Sequence, residues 1–131
     1  MKSNITSGKR KRAIAAATIK PGKGRITINR ILLENYSSKM ARMKIMEPLL
    51  ISGMKDKIDI SVKVKGGGEM GQADAVRLSI ARAILEFTQD KNIEKQFLDY
   101  DRQLLVADIR RKETRKPNDS KARAKRQKSY R

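Results

Sequence analysis

Three stretches of this sequence carry residue types that could do chemistry. The first is Gly66-Gly67-Gly68-Glu69-Met70-Gly71-Gln72, where four glycines crowd a short segment. Glycines permit positive φ and close backbone approach, and a helix starting there would turn free N–H groups toward a phosphate. The segment is not a Walker A loop, because no Gly-Lys-Ser/Thr closes it. It is also not G-x-G-x-x-G followed by an acid on a second strand. A nucleotide cradle, a turn whose amides meet an RNA backbone, and a purely structural turn all remain open. The second stretch is Lys9-Arg10-Lys11-Arg12. The third is the C-terminal run of Arg110, Arg111, Lys112, Arg115, Lys116, Lys121, Arg123, Lys125, Arg126, Lys128 and Arg131, with Tyr130 next to last. Arginine offers a planar fork to phosphate oxygens and a face for base stacking, and a tyrosine ring adds a second stacking surface.

What is missing narrows the chemistry further. The 131 residues include no His and no Cys. Imidazole general bases, thiol nucleophiles, thiolate-held metals and disulfide scaffolds are therefore excluded. The 32 Lys and Arg against 14 Asp and Glu give a formal charge of +18, and its placement is more informative than its size. Residues 1–33 carry +9, residues 110–131 carry +9, and residues 34–109 are neutral. A neutral body with two basic ends points to a polyanion, since clustered cations displace the counterions condensed on phosphate backbones. Two solvated tails are the bland alternative. No run of 18 apolar residues is present, and the N-terminus lacks the apolar core of a signal peptide, so a cytoplasmic protein without a membrane partner is expected.

Behind these stretches stand the elements that must position them. Ala13–Ile19 and Arg25–Asn29, joined through Pro21-Gly22-Lys23-Gly24, read as a β-hairpin. Met40, Met43, Met46 and Leu50 recur at helical spacing and read as the core-facing side of a helix that Pro48 should interrupt. Ile58–Lys65 alternates apolar and polar through four pairs, the pattern of a strand with one buried face. Gln72–Gln89 reads as a helix with Val76, Ile80, Ala83, Ile84 and Phe87 inward and Ser79, Arg82, Glu86 and Gln89 outward. Ile93 and Phe97 suggest a short helix, and Leu104–Ile109 a last strand. The expected organisation is a loose arm at 1–8, a globular α/β (α+β) domain at 9–112 and an extended basic tail at 113–131, which fully stretched would reach roughly 60 Å.

Taken together, four segments resemble a known family. They are Gly8-Lys9-Arg10-Lys11 with Ala13 and Ala15; Ile19-x-x-Gly22-x-Gly24-x-x-x-Ile28-Asn29; residues 66–84, where Gly71, Gln72, Ala75, Ser79, Ala81 and Arg82 fill the signature; and Asp108-x-Arg110-x-x-Glu113 through Lys121-Ala122-Arg123 to the Gln127–Arg131 ending. Over residues 6–131 the chain is similar to the ninth small-subunit ribosomal protein in its archaeal/eukaryotic form. One departure is the linker Lys116–Ser120, where the family usually has glycine and this chain offers Asn118. Asparagine enters the left-handed region more readily than most residues.

The resemblance implies a small two-layer sandwich, a β-hairpin plus a βαβ unit with a left-handed crossover, and a protein that is not an enzyme and needs no cofactor or metal. It implies a structural protein that binds rRNA in the head of the small subunit beside neighbouring small-subunit proteins. It also implies a C-terminal tail that reaches P-site tRNA. Residues 9–12, Gly66, Gly67, Gly68, Gln72, Arg82, 110–112, Arg115, Lys116, Lys121, Arg123, Lys125 and Arg126 are the expected rRNA contacts. Lys128, Tyr130 and Arg131 are the expected tRNA contacts. A general architectural nucleic-acid binder and a phosphoryl-transfer enzyme are the rival readings.

Overall fold

The computed structural model describes residues 4–118, 121–124 and 129. Five strands form one mixed sheet in the order β1 (Asn4–Arg10), β2 (Ala13–Pro21), β5 (Ile58–Lys65), β3 (Ile26–Ile28), β4 (Ile31–Leu32). Three helices complete it: α1 (Lys39–Ser52), α2 (Glu69–Thr88) and α3 (Lys91–Tyr100). The architecture is α+β, as the sequence and the resemblance suggest.

The strongest sequence signal gives the central strand. β5 runs antiparallel to β2 and parallel to β3, and Ile58, Ile60, Val62 and Val64 are all buried, as the alternation requires. The register pairs Ala17 with Val62 and Ala15 with Val64. The alanines of β2 are buried against α2, whose inner face is itself built from Ala73, Ala75, Val76, Ile80, Ala83 and Ile84. Small residues on both surfaces let helix and sheet approach closely.

Several expectations are corrected. The Pro21–Gly24 turn does not close a hairpin between its neighbours, because β5 is inserted between β2 and β3. The loop instead spans the start of β5, where Asp59 Oδ1 accepts from the backbone amides of Lys23 (2.9 Å), Gly24 (3.0 Å) and Arg25 (2.8 Å). A carboxylate thus satisfies donors that a two-stranded turn would have satisfied internally. The hairpin lies one element earlier. β1 pairs antiparallel with β2 through Arg10↔Ala13, leaving Lys11 and Arg12 as its turn. Asn4–Gly8, expected to be loose, are therefore a strand. Their polar side chains suit a sheet edge, and Thr6 Oγ1 donates to Ser79 O on α2 (2.8 Å).

Helix α1 runs unbroken through Pro48, and its core face is Ala41, Ile45, Pro48 and Leu49. Most of the methionine stripe faces outward instead, with Met40 69% and Met43 60% exposed, as is Leu50, while Met46 is partly buried against the core. Ser79 of α2, expected outside, is buried because β1 crosses directly above it. No strand forms over Leu104–Ile109; a 3-10 turn at Arg102–Leu104 buries Leu104, and the chain then continues without regular structure. Phe97 of α3 is fully buried, as its spacing from Ile93 suggests.

Candidate nucleic-acid interface

Two of the glycines at the end of β5 are required by backbone geometry. Gly66 has φ +77° and Gly67 φ +68°. A Cβ on Gly66 would lie 2.5 Å from Arg12 O, and one on Gly67 3.0 Å from the Ala13 amide nitrogen. The glycine turn is thus pressed against the Lys11-Arg12 hairpin turn, with no room for a side chain between them. Gln72 secures it: Nε2 donates to Gly66 O (3.1 Å), and Tyr36 Oη donates to Gln72 Oε1 (3.3 Å). Burial, and then the charge of Glu69, push the Tyr36 hydroxyl up from its ordinary value, so it stays a donor at neutral pH. Gly68 differs. Its backbone is ordinary extended at φ −96°, it caps the start of α2, and a Cβ there would meet nothing within 4 Å.

The juxtaposed turns form one wall of a groove of about 870 Å³. Lys11 and Arg12 come from the hairpin, Gly67, Gly68 and Gly71 from the turn and first helical turn, and Arg110, Arg111 and Lys112 from the chain leaving the domain. Three segments that are distant in sequence, each singled out for its residue types, therefore share one surface. Lys11, Arg12, Arg111 and Lys112 are exposed there.

Acids hold this arrangement in place. Asp108 pairs with Arg10 Nη1 (3.2 Å) and with Arg110 Nη2 (2.7 Å), and also accepts from the Arg110 backbone amide (3.0 Å). The Arg110 side chain, its amide and nearby Arg10 hold the Asp108 carboxyl far below the usual carboxylate range. Arg110 is correspondingly raised by Asp108. Asp74 adds a contact to Arg10 (3.8 Å) and one to Lys44 (3.2 Å). One carboxylate therefore fixes the base of the tail to the last residue of β1.

The remaining expected contacts divide by environment. Lys9, Arg115, Lys116 and Lys121 are exposed. Arg123 forms a bidentate pair with Glu113, whose carboxyl it lowers. Just before that return, Asn118 takes φ +66°, the left-handed geometry anticipated where the family has glycine. The described part of the tail thus bends back between 113 and 123 rather than running straight. Arg10, Gln72 and Arg82 are engaged within the protein. Arg82 Nε donates to Leu105 O (3.2 Å) and Nη1 to Ser7 O (3.0 Å), tying β1 to the segment after α3. Lys125, Arg126, Lys128, Tyr130 and Arg131 lie outside the described residues.

Sequence reasoning missed the acids that organise the cations. Arg77 is enclosed by Glu47 (2.5 Å) and Asp101 (3.2 Å) with its side chain only 11% exposed, so it braces α1, α2 and the end of α3. A signal existed in Asp108-x-Arg110, a lone acid at the threshold of a basic run. Nothing local marks Asp74 or Glu47, whose partners are set by helix packing. Among the described residues no cluster of three or more acids could hold a metal, and no helix is long and apolar enough to cross a membrane.

A small α+β domain with a cationic groove, lined by its first hairpin turn and by the chain leaving the domain, has a surface suited to a polyanion. Comparison with known proteins supplies the family. Residues 8–131 match the family model described as Ribosomal protein S9/S16. The chain is 52% identical over 132 residues to small ribosomal subunit protein uS9 of Methanothrix thermoacetophila, covering 100% of both chains. It is 54% identical over 128 residues to the uS9 proteins of Thermoplasma volcanium and Thermoplasma acidophilum, covering 97% of this chain and 97% and 99% of theirs. The chain belongs to the ribosomal protein S9/S16 family. It is a structural protein of the ribosome and not an enzyme.

Proposed function

We propose that this protein is a structural constituent of the small subunit of the cytoplasmic ribosome that grips rRNA in its groove and sends its C-terminal tail toward P-site tRNA. The observation that carries the first half is the convergence of Lys11-Arg12, the Gly67-Gly68 turn and Arg110–Lys112 on one surface. Phosphates would meet the exposed cations and the amides at the start of α2. Of the residues already engaged, Arg10 and Gln72 brace that surface, and Arg82 ties β1 to the segment after α3. Arg115, Lys116, Lys121, Arg123, Lys125 and Arg126 would follow the rRNA backbone outward, with the Glu113–Arg123 pair exchanged for phosphate. Such a surface pair contributes little to stability, so the exchange costs little.

The tail's end point is supported by family membership and by the Gln127–Arg131 ending. Lys128, Tyr130 and Arg131 would reach the tRNA, with Arg131 making a charge-assisted contact of about 1–3 kcal/mol. Subunits reconstituted with protein lacking residues 129–131 are expected to assemble normally and to bind P-site tRNA roughly tenfold or more weakly. Unchanged tRNA affinity would remove the tail from that role. If the protein failed to sediment with small subunits through a moderate salt wash, the general architectural binder would become the better reading.

A further inference from the structure

The opposite end of β5 carries a second cationic surface that the groove does not explain. Eight residues of strand separate the two, roughly 25 Å at about 3.3 Å per residue. Here Lys23 and Arg25 of the loop after β2, Arg42 of α1 and Lys55 of the loop before β5 surround a depression of about 530 Å³. Its floor is apolar and includes Leu32, 43% exposed, and half-buried Met46.

The charges at this site are treated differently from those inside the domain. Arg10, Lys44 and Arg77 are each matched to carboxylates. Among the described residues, Lys23, Arg25, Arg42 and Lys55 form no ion pair within 4 Å. Glu34 is the single acid on the rim. Two others are near: exposed Asp56, and Asp59, whose Oδ1 is committed to three loop amides. Lys20 and Lys57, both exposed, add to the cationic side, so an excess of positive charge remains.

We propose that this depression is a second RNA site, taking a single nucleotide step of rRNA with its phosphates on the cations and a base face on Leu32 and Met46. The idea rests on the rRNA-binding reading above. A thioether and an aliphatic side chain suit the face of an aromatic ring, and contacts to a base face tolerate any sequence. An acidic peptide fits less well. The neighbouring sheet edge, β4, is two residues long and cannot template an added strand. With both ends of β5 occupied, the domain would bridge two rRNA segments roughly 25 Å apart.

The test is hydroxyl-radical footprinting and salt-dependent binding of the full chain on naked small-subunit rRNA. Two variants are compared, Lys23→Gln/Arg25→Gln/Lys55→Gln and Lys11→Gln/Arg12→Gln, with Lys23→Arg/Lys55→Arg as the charge-keeping control. The triple variant should lose protection at one rRNA segment while keeping the other, and its log K against log salt slope should flatten by about 2. The charge-keeping control should bind as the unaltered chain does. If the triple variant is silent while Lys11→Gln/Arg12→Gln acts, the second site is refuted and the groove stands. If both are silent, the rRNA reading fails and this proposal with it. If the triple variant acts only in subunits containing other proteins, the occupant is protein and the proposal is overturned.

Discussion

Gly66 and Gly68 stand two residues apart and should respond unequally to the same change. Gly66→Ala forces a side chain into left-handed backbone and onto Arg12 O, at a cost of about 1–3 kcal/mol. Gly68→Ala meets open space and ordinary backbone, so its cost should be limited to the roughly 0.5–1 kcal/mol by which alanine is poorer than glycine at a helix N-cap. Any loss of rRNA affinity in Gly68→Ala would then be a direct effect of the methyl group on the groove, and a melting curve beside a binding isotherm separates the two. Asp59 gives a pH prediction. Its carboxyl is lowered chiefly by the Arg25 amide, then by those of Lys23 and Gly24. Because the folded state lowers this pKa, the stabilisation is complete above the ordinary carboxylate range and is lost as pH falls through the folded value. Asp59→Ala should lower the melting temperature at pH 7, and the gap to the parent chain should close as both are acidified. The glycine run was legible in sequence as a turn, but which of its glycines are structural was not. That depends on the hairpin turn lying against it, more than fifty residues earlier.

At the scale of elements, β5 and α2 were legible because each satisfies a period over its whole length. Pairing was less so. The Pro21–Gly24 turn signals a reversal, and a reversal does not say whether a third strand enters between the arms. The outward methionines of α1 show the same limit. Met40, Met43 and Met46 have helical spacing, but so do Ala41, Ile45, Pro48 and Leu49, and it is the second set that is buried in the core while Met46 only packs at its margin. The bracing of these helices by Arg77 gives the next prediction. Arg77→Ala leaves the partly exposed carboxylates of Glu47 and Asp101 without their cation, which should cost about 1–3 kcal/mol. Phe97→Ala, which empties a fully buried ring site on α3, should cost about 3–5 kcal/mol. Urea titrations of both variants check these values, and an Arg77→Ala loss below about 1 kcal/mol would show that the brace is only decorative.

Across the whole molecule, the separation of charge read from the sequence survives in three dimensions as a division of labour. Residues 34–109 supply most of the core and the carboxylates that position Arg10 and Arg110, while cations with no ion pair among the described residues line both ends of β5. Affinity for rRNA should therefore fall steeply with salt while stability changes little, since the core is apolar and only a few of the ion pairs are exposed. Chemical denaturation at low and high salt, measured beside rRNA binding, checks that divergence. The tail was legible in composition and not in path. A run of like charges points to a polyanion, but it carries no periodicity from which a path can be read.

The crossing of β1 over α2 has a consequence for how the chain can vary. A Cβ on Gly8 would fall 2.4 Å from Ala75 O and 2.8 Å from the Ser79 amide nitrogen. That residue is consequently a fixed mark from which the distance to the hairpin turn is counted. Extra residues inserted ahead of Asn4 would only lengthen the leading end, whereas one inserted between Asn4 and Gly8 would pull Thr6 and Ser7 away from Ser79 and Arg82. One residue inserted between Gly8 and Ala13 would invert the faces of the strand or displace Lys11 and Arg12 from the groove. Insertions and deletions in this protein should thus be tolerated ahead of the first strand and rejected from that strand to Ala13.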